Sequence, residues 1–368
     1  MEGKKTQIVP AAGESATAAA WRRLRRNPAA IFGMTVIALS VLLALFAYPL
    51  SPDGSSYANR MVVEIGGRKP GYHQLFLLVK KEGARPAEAF LQKLFAGGTD
   101  PWQYIPVTHY REIGDSIIVG KLIDEGIEER LAFSKQQLAP EPIITKTYWL
   151  GSDKYGRDIL SRLLVGTRVS LGVGLVAVIV SLSIGILLGA MAGYFGGRTD
   201  DMVMWFINII WSIPTLLLVF AITFLLGKGF WQVFVAIGLT MWVTVARMVR
   251  GQVLAARSLE YVEAARALGY RHARIIVKHI LPNIAGPVLV VAASNFASAI
   301  VIEAGLSFLG VGVQPPQPSW GLMIKENYNF IITHNPMLAL APGFAIMLLV
   351  LAFNLLGNAL RDALDVRG

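Results

Sequence analysis

Residues 260–282, EYVEAARALGYRHARIIVKHILP, carry the most specific chemistry in this chain. Glu260 and Glu263 stand where the first turn of a short helix would favour negative charge. Ser258 is placed to cap that helix. Ala264, Ala265 and Ala267 give it high propensity and a slim profile. Gly269 supplies the left-handed residue that stops a helix, and Pro282 suits the first turn of the next. The chemistry offered is recognition: a polar helix over 258–274, held between two apolar segments and open to a soluble partner. The same composition fits a plain interfacial helix, and propensity alone does not separate the two readings.

Groups for covalent chemistry are scarce. There is no cysteine, which excludes disulfides and thiolate metal sites. No Gly-x4-Gly-Lys-Ser/Thr loop occurs, so no phosphate cradle is expected. His73 and His109 lack metal-ligand spacing. No catalytic residue and no metal ligand are therefore assigned. A membrane-embedded enzyme is a remote alternative, since His334 is the histidine nearest an apolar run. An ion-driven transporter is disfavoured, because neither midplane carboxylates nor an inverted repeat is evident. Glu303 lies near the outer end of an apolar run, with a structural and a functional reading both open. Asn208, Asn295 and Asn354 are expected to form interhelical hydrogen bonds.

The elements that position these residues are membrane spans. Apolar residues make up 54% of the chain and charged ones 16%, against about 25% charged in soluble domains. Charge-free runs at 27–52, 169–197, 202–227, 229–246, 280–302 and 327–360 each suit a helix crossing a bilayer. The fold class expected is an all-α polytopic membrane protein with six transmembrane helices. Arg22, Arg23, Arg25 and Arg26 precede the first run, and seven basic residues stand between the fourth and fifth. Positive charge marks both segments, and hence both termini, as cytoplasmic. The net charge of +10 concentrates there without an aromatic-basic stripe, so nucleic acid is not an expected partner. Tyr48-Pro49-Leu50 is a poor leader-cleavage site, so the first span is expected to be retained. Pro214 falls inside the third span, read as a packing kink in preference to a hinge. Gly189 and Gly193 point to close packing of the second span.

The domain reading is a cytoplasmic tail at 1–28, a first span at 29–50, an extracytoplasmic insertion at 51–149 and a five-helix core at 150–368. Residues 1–20 are expected to be mobile. The insertion reads as small and α+β. Strands are expected at 61–65, 73–81, 104–110 and 116–119, and helices at 86–96 and 128–138. Residues 150–162 read as a turn and an amphipathic helix. There Asp153, Arg157, Asp158 and Arg162 face water or pair, and Ile159, Leu160, Leu163 and Leu164 meet lipid.

Glu263-Ala264-Ala265, three further residues, Gly269, and then Leu281-Pro282 resemble the cytoplasmic EAA motif of ATP-binding-cassette importer permeases. The broad pattern has isoleucine where His279 stands. Asp153, Gly156, Arg157, Asp158 and Arg162 lie in a segment similar to that before the second span in the dipeptide, oligopeptide and nickel branch. Gln314, Pro315, Pro316 and Trp320 lie in a segment, 306–321, similar to that branch's outer loop, a gate or docking rim. The branch tends to carry Arg and Asp where Trp205 and Asn208 stand. The resemblance covers the first span and 150–362 and leaves 52–147 uncovered.

The resemblance implies a second-permease, C-type subunit of a peptide importer; a nickel or metal-chelate importer is the alternative. It makes the helix at 258–274 a coupling helix that docks into an ATPase. One EAA segment per chain implies a heterodimer with a second homologous permease. The implied partners are two ATPase subunits using ATP and Mg, and an extracytoplasmic substrate-binding protein. No cofactor is expected on this chain. The implied location is the bacterial plasma (inner) membrane, multi-pass. The insertion contacts the binding protein, caps the outer mouth, or is a family-specific decoration.

Overall fold

In hydrocarbon a backbone must satisfy its own polar groups, which for an apolar run means a helix. The structure, a computed structural model, describes residues 16–81, 96–227, 229–332 and 335–364. In chain order the helices are α1 (Ala16–Leu24), α2 (Pro28–Leu45), α3 (Ala47–Leu50), α4 (Ile159–Phe195), α5 (Gly197–Trp211), α6 (Thr215–Leu226), α7 (Phe230–Ala256), α8 (Glu260–Ala267), α9 (His272–Ile275), α10 (Ala285–Leu309), α11 (Trp320–Asn327) and α12 (Met337–Leu364). Five stretches among the described residues are long and apolar enough to cross a membrane: α2, α4, α7, His272–Leu309 and α12.

The sixth expected span is broken. α5 and α6 pass the same test only as a pair, and they are bent by 94°. The break is Ser212-Ile213-Pro214. Proline has no N–H and disfavours helix in the residue before it. The Ser212 hydroxyl donates to Ile209 O (2.7 Å) and Ile213 N to Ile210 O (3.2 Å), closing the first helix. α6 then starts afresh behind Pro214. Pro214 thus ends a helix, where a packing kink was expected.

The chain forms two compact units. One takes the described residues of Met1–Ser40, Gly172–Glu303 and Met347–Gly368; the other takes Val41–Leu171 and Ala304–Ile346. In the first, α4 packs on α7 through its glycines. A Cβ at Gly189 would lie 2.4 Å from Ala246 O, and one at Gly193 2.7 Å from Arg250 O. The expected close approach is thus present, with α7 as the partner. At the start of α2, Asn27 Oδ1 accepts from Ala29 N (2.9 Å) and Ala30 N (3.3 Å). Gly33 gives close approach to Ala352 O of α12.

The second unit holds a five-stranded antiparallel sheet, order β4-β3-β2-β1-β5: β1 (Tyr72–Lys80), β2 (Trp102–Ile113), β3 (Ser116–Asp124), β4 (Ile127–Ser134) and β5 (Leu138–Tyr148). Alternation sends Leu77, Ile105, Val107, Ile117 and Val119 to one core. Phe76, Leu122 and Tyr148 go to another, with Val62 and Ile65.

The insertion departs from expectation in three places. The strand expected at 61–65 is a 3-10 turn, Val63–Ile65, in which only Ile65 is buried. The helix expected at 128–138 is β4, a 3-10 turn at Lys135–Gln137 and the first residue of β5. A hairpin at Gly126 (φ +78°) pairs β4 with β3, and that pairing overrides local propensity. β5 was not foreseen because Pro140 and Pro142 interrupt it; it is tolerated as an edge strand with a register shift against β1. Residues 86–95 of the other expected helix, and 1–15 of the tail, lie outside the described residues.

Candidate functional site

α8 builds its surface from few residues. Its N-cap is Leu259, without a side-chain cap; Ser258, the expected cap, instead donates to Ala255 O (3.2 Å). Val262 and Ala265 are buried against Val249, Val253 and Ala256 of α7 and against Tyr194 and Ile275. Gly269 ends the helix at φ +74°. Tyr270 N donates to Ala265 O (3.2 Å) and Gly269 N to Arg266 O (3.0 Å), the bonds of a Schellman turn. The other face is exposed: Glu260, Tyr261, Glu263, Ala264, Ala267 and Leu268, the last at 72%. The helix expected over 258–274 is therefore two pieces, 260–267 and 272–275, because Gly269 interrupts it.

Behind α9 a π-helical turn, Ile276–Ile280, leads into a 3-10 turn, Leu281–Ile284, that contains Pro282. Lacking an N–H, Pro282 is accommodated by the widened turn ahead of it. It stands just before α10, not inside its first turn. Leu281 is half-buried against the core under α8.

Aromatic and charged side chains fasten this loop. Tyr194 Oη and His272 Nδ1 are hydrogen-bonded at 2.9 Å. The Tyr270 ring stacks on His279 (5.8 Å, 22°) and carries Arg274 on it at 4.5 Å. His279, the departure from the family pattern, thus has a stacking partner. Arg257 Nη1 donates to Gly193 O (3.2 Å), and Arg250 makes a two-pronged ion pair with Asp200, Nη2 to Oδ2 at 2.6 Å. Tyr194, His272 and Asp200 were not singled out in the sequence; an aromatic pair at the end of a span, Tyr194-Phe195, is the signal that was there.

The segments read as outer-face ones, whose charges were expected to face water or to pair, hold a buried charge network. Asp153, Gly156, Arg157, Asp158 and Arg162 are all buried. Arg157 Nε donates to Asp153 Oδ2 (2.6 Å) and Arg157 Nη2 to Glu326 Oε2 (2.7 Å); Arg162 Nη2 reaches the same oxygen at 3.1 Å. Glu326, on α11, was missed, since its partners lie more than 160 positions away. The pairing of Asp153 with Arg157 at helical spacing is present. Asp153 and Glu326 together compensate the two buried arginines. Gly156 sits at φ +72°, with Val62 O where a Cβ would go (1.7 Å). Asp158 accepts from Ser161 N (2.8 Å) and from its hydroxyl, while burial pushes its carboxyl up. Ile159 is buried rather than lipid-facing.

Trp320 is buried, donates from Nε1 to Leu163 O (3.0 Å), and heads α11, whose N-cap Ser319 accepts from Leu322 N. Gln314 donates to Gly312 O (2.8 Å); Gln314, Pro315 and Pro316 are exposed. In the insertion, burial and the neighbouring Arg60 pull the Lys146 ammonium down to about 8. Burial pushes the Tyr104 phenol up to about 12.

The first unit also has an open cavity of about 580 Å3 at the α5–α6 break, between α7, α10 and α12. Its polar lining includes Trp211, Thr215, Thr240, Thr244, Ser294, Asn295, Ser298 and Asn354, and no charged side chain lines it. Two of the three expected asparagines are here; Asn295 Nδ2 donates to Ser181 Oγ (3.4 Å). The third, Asn208, accepts from Arg247 Nη2 at 3.4 Å. Helix rotation decides which residues line such a space, so the sequence did not identify them.

Residues 185–367 match the family described as binding-protein-dependent transport system inner membrane component. Residues 15–62 match the N-terminal transmembrane domain of oligopeptide transport permease C. The glutathione transport system permease protein GsiD of Pectobacterium atrosepticum is 42% identical over 221 residues, 60% of this chain and 73% of that one. The dipeptide transport system permease protein DppC of Bacillus subtilis is 34% identical over 315 residues, 82% of this chain and 97% of that one. The nickel transport system permease protein NikC of Escherichia coli is 41% identical over 218 residues, 59% of this chain and 78% of that one. Residues outside 52–147 make up less than three-quarters of the chain, so the dipeptide permease match runs into the insertion.

Proposed function

The chain belongs to the binding-protein-dependent transport inner membrane components, as a permease of the peptide and nickel branch of ATP-binding-cassette importers, and on that footing we propose that it passes peptides across the inner membrane. The observation that carries the coupling part of this reading is α8. It is fixed on one face to the ends of two long apolar helices and bare on the other, with Glu263, Ala264, Gly269 and Leu268 exposed. A helix so held transmits force in both directions, which suits it to dock in a partner ATPase. Ala265 and Leu281 act from beneath, by seating the helix, and the exposed Pro282 shapes the turn that leads into α10.

In this reading ATP and Mg act in two separate ATPase subunits, and no covalent chemistry occurs in this chain. ATP-driven closure moves α8, and the attached helices swing between outward- and inward-facing arrangements. A second homologous permease supplies the other half of the pathway and the other docking helix. The cavity at the α5–α6 break is this chain's share of that pathway. A substrate-binding protein delivers cargo to the outer face, where Gln314, Pro315 and Pro316 are exposed. The buried network of Asp153, Arg157, Asp158 and Arg162 gives that face rigidity. The insertion lies outside, and both termini lie in the cytoplasm.

Glutathione and dipeptides, in the printed names of two relatives, favour peptides; the nickel permease keeps a metal chelate as the second reading. The test is to tag the chain, extract it gently from native membranes and identify what accompanies it. A second six-span permease with two ATPases is the expected result. Recovery of the chain alone under every nucleotide condition would reject the docking role of α8.

A further inference from the structure

The cavity of the first unit has a cation at its edge that the pathway reading does not use. Thr240, Thr244 and Arg247 stand at i, i+4 and i+7 on α7, one stripe of the helix. Thr244 lines the cavity, and Arg247 follows it one turn on. The Arg247 guanidinium lies 3.4 Å from the centre of the Trp211 ring, and Trp211 also lines the cavity. Stacking on an indole holds a guanidinium flat and leaves its edge of N–H donors available.

That edge is under-used. Nη2 has only the neutral Asn208 Oδ1, at 3.4 Å, and Nε is buried without a hydrogen-bond partner among the described residues. One turn further, Arg250 has a carboxylate, Asp200, on both prongs. Arg247 has no such ion pair among the described residues. The Arg247–Asn208 contact is open to solvent, so the edge of the guanidinium is within reach of a solute, and a planar carboxylate matches its fork with two charge-assisted bonds.

We propose that Arg247, oriented by Trp211 and Asn208, binds a free carboxylate of the transported solute at the edge of this cavity. The lining contributes no negative charge to repel such a group and no second cation to compete for it. A space of about 580 Å3 is within the ordinary range of small-molecule sites. The threonine and serine hydroxyls offer neutral hydrogen bonds to the rest of the solute. This rests on the peptide reading, in which the carboxylate is the peptide's C-terminus.

The test uses the whole transporter with its binding protein in proteoliposomes, loaded with ATP. Uptake of labelled L-alanyl-L-alanine is compared with that of its C-terminal amide, and the ratio is the readout. One lost charge-assisted contact corresponds to a change of about tenfold or more. Wild type is expected to favour the free carboxylate by about that factor. Arg247→Gln should bring the ratio towards one. Asn208→Asp should do the same, by giving Arg247 an internal carboxylate, and Arg247→Lys should fall between. A ratio unchanged in all three variants overturns the proposal, as does a wild-type ratio near one. Equal loss of both peptides, with the second permease lost on purification, also overturns it and assigns Arg247 to an interface. Wild-type uptake of neither peptide would instead reject the peptide reading itself, and the proposal with it.

Discussion

Replacing Gly269 tests α8 apart from the rest of the fold. Its backbone sits at φ +74°, and a Cβ there would meet nothing within 4 Å. The cost of Gly269→Ala is therefore conformational alone, about 1–2 kcal/mol for an L-residue in the left-handed region. No core contact is lost, because Val262 and Ala265 keep their places against α7. That energy acts on one equilibrium, the opening of the turn that Tyr270 N closes on Ala265 O. An opening free energy lowered by about 1–2 kcal/mol raises the open population roughly 5- to 30-fold. Hydrogen exchange reads this directly: where reclosing outpaces exchange, the Tyr270 amide should exchange faster by that same factor. Amides in the middle of α7 should not change. Peptide uptake per ATP hydrolysed should fall with it, since a frayed helix end transmits less motion. Gly269→Asn is the control, since asparagine tolerates this conformation, and Gly269→Val should be worse than alanine. Unchanged Tyr270 exchange in the valine variant would refute the strain argument. Faster exchange with undiminished uptake would refute the coupling role while leaving the strain argument standing.

Three further outcomes are expected. Glu326→Gln leaves Arg162, 1% exposed, with only Asp153 at 4.0 Å; thermal unfolding in detergent should show a loss of about 3 kcal/mol. Adding Arg162→Met should recover part of that loss, and a further drop would mean Glu326 is not the compensating charge. Gly189→Val puts a side chain 2.4 Å from a backbone oxygen of α7, so the extracted protein should unfold or aggregate where Gly251→Ala, with open space around it, does not. Lys146, pulled down to about 8 by burial and Arg60, binds fewer protons folded than unfolded above that pH. Stability of the part that holds the five-stranded sheet should therefore rise from pH 8 towards 10, and the slope should weaken in Lys146→Met.

What could be read in the sequence is what neighbours along the chain decide. The stop at Gly269, the acidic first turn of α8 and the glycine face of α4 rest on single residues or on fixed spacings, and they are present. Failures came where distant partners decide. The acidic, helix-compatible stretch Glu128–Arg130 became a strand because β3 pairs with it. Glu326 joined a network whose other members lie far off in the chain. Pro214 announced a disturbance, but its size depended on what the neighbouring helices leave open, here a cavity. The charged residues at 153–162 looked like a wet surface because single positions do not reveal compensation.

The first unit places the proposed docking helix and the cavity against one helix, α7. α7 has 27 residues, about 40 Å at 1.5 Å per residue. One end carries Val249, Val253 and Ala256, on which α8 is seated. At its middle it presents Thr240 and Thr244 to the cavity. No proline interrupts it, and its first four turns are buried on several sides, which suits it to act as a lever in the proposed reading. α4 is tied to the same lever by backbone approach at Gly189 and Gly193, closer than any side chain allows. The break at Ser212–Pro214, between α5 and α6, borders the cavity. In the proposed reading, motion delivered at α8 has α7 as its carrier and this break as the place to act. Trp211 and Arg247 meet there. A carboxylate held there would be released when the lever moves relative to the broken helix, which links cargo release to the motor stroke without contact between them.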